Sequence, residues 1–209
     1  MDNKEAAVEV KKAVYLAIRR LMEPGKGARA GGLTSGGTAM LAKLRRAAGK
    51  SVEQCPEVWE ITISALAEDH LQGQSNYMER ARAAFTALSL FGMHQQGKSE
   101  SISGKNPFGM AVRAIVAPDK SNEDGIRRRF NALCTAVSFD ELVVHTRALV
   151  QLMKQKDVTL DYPDFAEDLF WYQVSEQSRN NTRMRWGRHF YRMNKPDDNN
   201  NNQEGNDNE

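Results

Sequence analysis

The chain predicts an all-α protein of two small helical bundles, about eight or nine helices, followed by a disordered C-terminal tail. Three observations predict it. Apolar residues recur at three- and four-residue intervals almost throughout the 209 residues, no stretch alternates as a half-buried strand would, and Gly- or Pro-containing breaks punctuate the pattern at helix-sized intervals. Helices with one apolar stripe and short connections bury those stripes by antiparallel bundling.

Val10, Val14, Ile18 and Leu21 mark the inward face of a first helix, which Pro24–Gly37 ends with six glycines. A short helix then turns Met40, Leu41 and Leu44 inward and carries Lys43, Arg45 and Arg46 around its flanks. Pro56 suits a helix first turn, with Trp59, Ile63, Leu66 and His70 at helical intervals behind it. From Tyr77, the residues Ala81, Phe85, Leu88 and Phe91 form another stripe that stops near Gly97. The polar connector Ser99–Pro107 places the boundary between an N-terminal bundle, residues 1–104, and a C-terminal bundle, residues 105–195.

Beyond that boundary Phe108, Val112 and Ile115 begin a short helix. Asn122 or Asp124 caps the next, whose face is Ile126, Phe130, Leu133 and Val137, with Arg127, Arg128 and Arg129 fanned around the exposed side. A longer helix turns Phe139, Leu142, Val143, Thr146, Val150 and Met153 inward and puts Arg147 and Lys154 one heptad apart on a flank. Pro163 opens a helix carrying Phe165, Leu169 and Tyr172, with Asp164 and Asp168 assigned to a first turn where the helix dipole favours acids.

The last helix carries the most informative run. Between Arg179 and Lys195 stand six cations (Arg179, Arg183, Arg185, Arg188, Arg192, Lys195), no carboxylate, and Trp186, Phe190 and Tyr191. At 100° per residue Arg185, Arg188, Arg192 and Lys195 share one side, while Trp186, Phe190 and Met193 share another. An apolar stripe that anchors the helix and a basic ridge that faces outward suit a nucleic-acid backbone. Residues 196–209 reverse the sign, with five acids, no cation and many asparagines, which predicts disorder. The other 22 acids therefore face 29 cations, a net charge of +7 where the whole chain shows +2.

Composition excludes several classes. No run of about 18 apolar residues is present and Met1–Glu9 is charged, so neither a membrane span nor a signal peptide is expected and the cytoplasm is the predicted compartment. Cys55 and Cys134 are single and distant, as reduced thiols are. The glycines lack the G-x-x-x-x-G-K-[ST] order of a phosphate loop. His70, His94, His145 and His189 stand on separate helices without metal-ligand spacing, and no nucleophile has an identifiable base. No catalytic residue, metal or cofactor is predicted.

Five segments in order carry a family resemblance: LRRAAGK from Leu44, FTALSLFGMHQQGKS from Phe85, RRRFNALCTAVSFDELVVHTRALVQLMK from Arg127, LDYPDFAEDLFWYQ from Leu160 and RMRWGRHFYR from Arg183. Over roughly residues 38 to 193 the chain resembles the CasB small-subunit family of the type I-E CRISPR Cascade complex. The resemblance implies a non-enzymatic, all-helical subunit present as two copies in the assembly. It implies as partners the other Cascade protein subunits, the guide RNA and the target DNA, whose displaced single strand the basic surfaces help to hold. Carried over by position, the nucleic-acid-binding residues are Lys43, Arg45, Arg46, Arg127, Arg128, Arg129, Arg147, Arg183, Arg185 and Arg188. The alternative is a free-standing helical DNA-binding regulator that reads duplex DNA with the Arg183–Met193 helix, although that segment is poor in polar readers of adenine.

Overall fold

The computed structural model describes residues 2–24, 33–66 and 76–192, and among these it holds nine α-helices and no strand beyond two isolated bridges. The helices are α1 (Asn3–Leu21), α2 (Ser35–Ala47), α3 (Trp59–Thr62), α4 (Tyr77–His94), α5 (Phe108–Ala114), α6 (Glu123–Thr135), α7 (Phe139–Gln155), α8 (Tyr162–Val174) and α9 (Glu176–Tyr191).

Local chemistry sets their starts. The Asp2 carboxylate accepts from the Lys4 and Glu5 amides at 2.7 and 2.8 Å, and Glu5 accepts from the Asp2 amide, closing a capping box on α1. Thr34, Ser138, Asp161 and Ser175 each accept a first-turn amide of α2, α7, α8 and α9 through a side-chain oxygen. Pro163 stands in the first turn of α8, where its missing N–H costs nothing.

Packing centres on α4 and α8. From Arg80 to His94 every residue of α4 except Arg82 is buried, because α1, α2, α7 and α8 all pack on it. Helix α8 lies between α1, α4 and α9, and α9 in turn packs on α5. An aromatic stack fills the far end: Phe108 lies on Phe165 and beside Trp186 with centroids 4.8 and 4.9 Å apart, and Phe130 stacks on Phe190 at 4.4 Å. Gly109 permits the close crossing of α5 and α9, since a Cβ there would run into the Trp186 carbonyl. The connector between α4 and α5 is pinned by its backbone, with Gly104 donating to the Leu160 carbonyl and Asp161 donating to the Asn106 carbonyl at 3.0 and 2.9 Å.

Some local expectations give way. Helix α3 spans only Trp59–Thr62, because Ile63 to Ala65 already form a turn, and Trp59 is 41% exposed with its indole N–H donated to the Val52 carbonyl. His70 lies outside the described residues. Val137 is 82% exposed rather than on the α6 core face, because the helix ends at Thr135 and the chain turns toward the Ser138 cap. Asn122 flanks α6 but spends its side chain on the turn that follows α5, accepting from the Ala117 amide and donating to the Ile115 carbonyl. The expected tail, residues 196–209, and glycines 25–32 also lie outside the described residues.

Candidate nucleic-acid interface

Cations far apart in sequence meet where α2 crosses the end of α4. Gly92 makes the crossing possible: a Cβ on it would stand 2.6 Å from the Leu44 Cβ and 3.1 Å from the Leu41 carbonyl oxygen. The next α2 residue, Arg45, is exposed and lines a cleft of about 240 Å³ with Gln95, Gln96 and Lys98. Lys154 reaches the same corner from α7 and donates to the Gln96 side chain at 2.8 Å. Its ammonium is held below the usual lysine range by burial and then by Arg45 and Lys98. Lys98 is offset by Asp157, and no carboxylate lines the cleft itself. Arg147 extends the patch, with its side chain lying 3.4 Å from where Gly49 would carry a Cβ, and Arg46 is exposed while Lys43 is half-buried beside it.

On α6 all three arginines are exposed. Arg127 pairs with Asp124, Arg129 donates to the Gly125 carbonyl at 3.1 Å, and Arg128 has no polar partner among the described residues. Glu123 at the start of the same helix holds Arg113 of α5 at 2.5 Å, and that ion pair keeps its carboxyl below the ordinary range.

On α9 the guanidiniums turn inward. Arg183 donates to the Ala136 carbonyl, at the end of α6, and to the Tyr172 hydroxyl at 2.8 Å, with its guanidinium carbon 5.3 Å from the Tyr172 ring centroid. Arg179 lies on the same ring and donates to the Tyr172 carbonyl. Arg185 pairs with Asp168, a carboxylate only 2% exposed that also takes the Trp186 indole N–H at 2.5 Å. Asp168 is thus a buried acceptor in the second turn of α8, and only Asp164 acts as the first-turn acid. Arg188 remains exposed, and His189 beside it is held below its usual range by burial and then by Arg185.

His94 and the two cysteines show no sign of chemical activation. His94 is fully buried, hydrogen-bonded to the Tyr162 hydroxyl at 3.0 Å, and lowered to about 4 by burial and then by Lys98 and Lys154. Burial pushes the Cys134 thiol up to about 11 and raises Cys55 as well, opposite to what activates a nucleophile. No group of three or more His, Cys, Asp or Glu able to hold a metal is found among the described residues. Nor is any helix there long and apolar enough to cross a membrane.

The structure brings Arg147 beside Gly49, past the end of α2 that carries Arg45 and Arg46, keeps Arg127–Arg129 exposed on α6 and engages Arg183 and Arg185 internally. Lys154, which helical spacing put on one flank with Arg147, joins the first group, and so does Lys98, which the sequence did not single out. The signal for the α2–α4 meeting is Gly92 inside an otherwise alanine-rich buried helix, which marks a close approach whose partner sequence alone does not name.

Fold and surface together define an all-helical scaffold that presents cations on separate outer faces. The profile of the family described as CRISPR-associated protein Cse2 matches residues 40–191. The fold is similar to the crystal structure of CasB from Thermobifida fusca, with a TM-score of 0.73 and 25% identity, covering 88% of this chain and 98% of that one. No curated protein sequence matches the chain. The chain belongs to the Cse2/CasB family, the structural small-subunit family of the CRISPR Cascade complex.

Proposed function

We propose that this protein is a non-catalytic Cascade small subunit that holds the displaced DNA strand and nearby nucleic-acid backbone by charge, stabilising the R-loop. Two copies would act within the assembly, alongside the other protein subunits and the guide RNA. The observation that supports this most is the gathering of Arg45, Lys98 and Lys154 from three separate segments at one corner, beside a cleft that no acid among the described residues lines. Placing like charges together costs stability in the free protein, and a polyanion relieves that cost. Sequence would be read by guide pairing, so these cations need only follow backbone charge. The reading retains the two bundles, residues 1–104 and 105–195, with the first cationic face built from both and the α6 face from the second alone.

The test is R-loop lifetime in reconstituted Cascade carrying Arg45→Glu with Lys154→Glu. A shortened lifetime at low salt, with the wild-type advantage fading as ionic strength rises, is the expected result. Three phosphate contacts per copy correspond to a slope of about −2 in log affinity against log salt for a single strand. An unchanged lifetime with intact assembly removes this cluster from the interface, and tight sequence-selective duplex binding by the free chain would favour a regulator instead.

A further inference from the structure

A second cavity lies in the groove between α8 and α9, on the side of α9 where Arg188 stays outward. It encloses about 370 Å³, within the range of small-molecule sites, and is lined by Trp171, Ser178, Asn181, Thr182, Arg185 and Arg188. Trp171 is half-buried, its ring meets Phe170 edge-on at 5.6 Å, and its backbone carbonyl accepts the Ser178 hydroxyl at 2.7 Å. The groove thus carries a large aromatic wall before anything binds.

The charge around it is as particular as the shape. Asp168 offsets Arg185 within the protein, which leaves Arg188 as the cation on the rim, and Arg192 follows one turn along. No acid among the described residues lines the cavity. Asn181 is exposed on the rim, its amide oxygen accepts from Gln177 at 3.1 Å, and its NH2 group has no partner among the described residues.

We propose that this groove is a stacking site for one unpaired base of a single-stranded nucleic acid. The base lies against Trp171, its edge meets the Asn181 amide, and its 5′ or 3′ phosphate meets Arg188. Aromatic side chains beside a cationic track bind single strands without sequence preference, because every base offers a π-face. An acidic or apolar peptide accounts for less of the site: the former has no use for a fixed indole wall and the latter none for the arginine rim. The inference rests on the single-strand reading above, but assigns a different contact, to the base rather than to the backbone.

The experiment is anisotropy at low salt with the full chain, comparing a labelled thymidine strand with an abasic strand of equal length and charge. Trp171→Leu should weaken the thymidine strand about tenfold and leave the abasic strand unchanged, while Trp171→Phe should retain most of the preference. Asn181→Leu, on the exposed rim, should obstruct the cavity and lose the same preference without touching the core. Wild-type protein that binds both strands equally, or a Trp171→Leu variant that weakens both alike, overturns the stacking site. In that case a loss on both strands in Arg45→Glu would leave the charge-based function standing. If the wild-type chain binds neither strand, the stacking site falls, and the charge-based function is decided separately by R-loop lifetime in the assembled complex.

Discussion

Helices α6 and α9 carry similar arginine runs to different ends. On α6 the three consecutive arginines, 100° apart, all reach solvent, and their partners are a neighbouring exposed carboxylate and a carbonyl of the same helix. On α9 the arginines at 179, 183 and 185 fall toward α8, where Tyr172 and Asp168 provide a ring face, a hydroxyl and a buried carboxylate. The α9 run is the more conspicuous in sequence, with six cations and no acid, yet much of its charge is satisfied inside the protein. Local charge density is therefore a weak guide to what a surface offers; what decides it is whether the neighbouring helix holds acceptors.

The comparison breaks most completely where the two helices join. Phe130 of α6 is 1% exposed and stacks on Phe190 of α9, so Phe130→Ala removes the ring that keeps both runs in register. A loss of about 3–5 kcal/mol is expected from denaturant unfolding. Less than about 1 kcal/mol would mean that the two helices are held by something other than this stack.

A buried histidine gives the next largest effect, beneath the third cationic region. His94 faces Lys98 and Lys154, which disfavour its protonation, and Asp157 and the Val158 backbone, which favour it; burial outweighs all of them and holds it at about 4. Its folded value lies below the unfolded one, so the unfolded chain takes up the proton first and stability falls as pH drops from about 6.5 toward 4. The full loss is on the order of 3 kcal/mol. Unfolding midpoints at pH 7 and pH 4.5 should differ in the wild type and differ much less in His94→Gln; equal pH slopes in the two would count against the assignment.

Much of the fold was legible because the apolar period is local information. The stripes Val10 to Leu21, Phe85 to Phe91 and Leu142 to Met153 lie buried where the spacing puts them. Val137 and the truncated α3 escaped because caps and turns end a helix before its apolar period does. At the candidate interface, the exposure of Arg127–Arg129 followed from the single-sided α6 stripe. The internal role of Asp168 and the meeting of Lys98 with Lys154 depend on which helices become neighbours, and helical spacing carries no such information.

Asp168 tests the α9 half of the contrast directly. Asp168→Ala leaves the Trp186 indole N–H without its acceptor and Arg185 without its carboxylate. Loss of one partner from a fully buried pair costs about 3–5 kcal/mol, and because the Arg185 side chain is still 36% exposed the expected loss is nearer to about 2–3 kcal/mol. A loss below about 0.5 kcal/mol would show that Arg185 is solvated and available, which would make α9 resemble α6.

Arg128 tests the other half, and here the expected effect on stability is the smallest. With an exposed side chain and no polar partner among the described residues, Arg128→Glu should shift unfolding by no more than about 0.5 kcal/mol, because no described contact depends on that guanidinium. The same change reverses a charge that a bound strand would meet, so retention of DNA by the assembled complex should fall at low salt and recover toward wild type as salt screens the difference. A destabilisation above about 1 kcal/mol would place Arg128 among the internally engaged arginines. Normal stability with undiminished DNA retention would instead leave α6 as a solvated face, and the outward arginines would have no more part in binding than the inward ones.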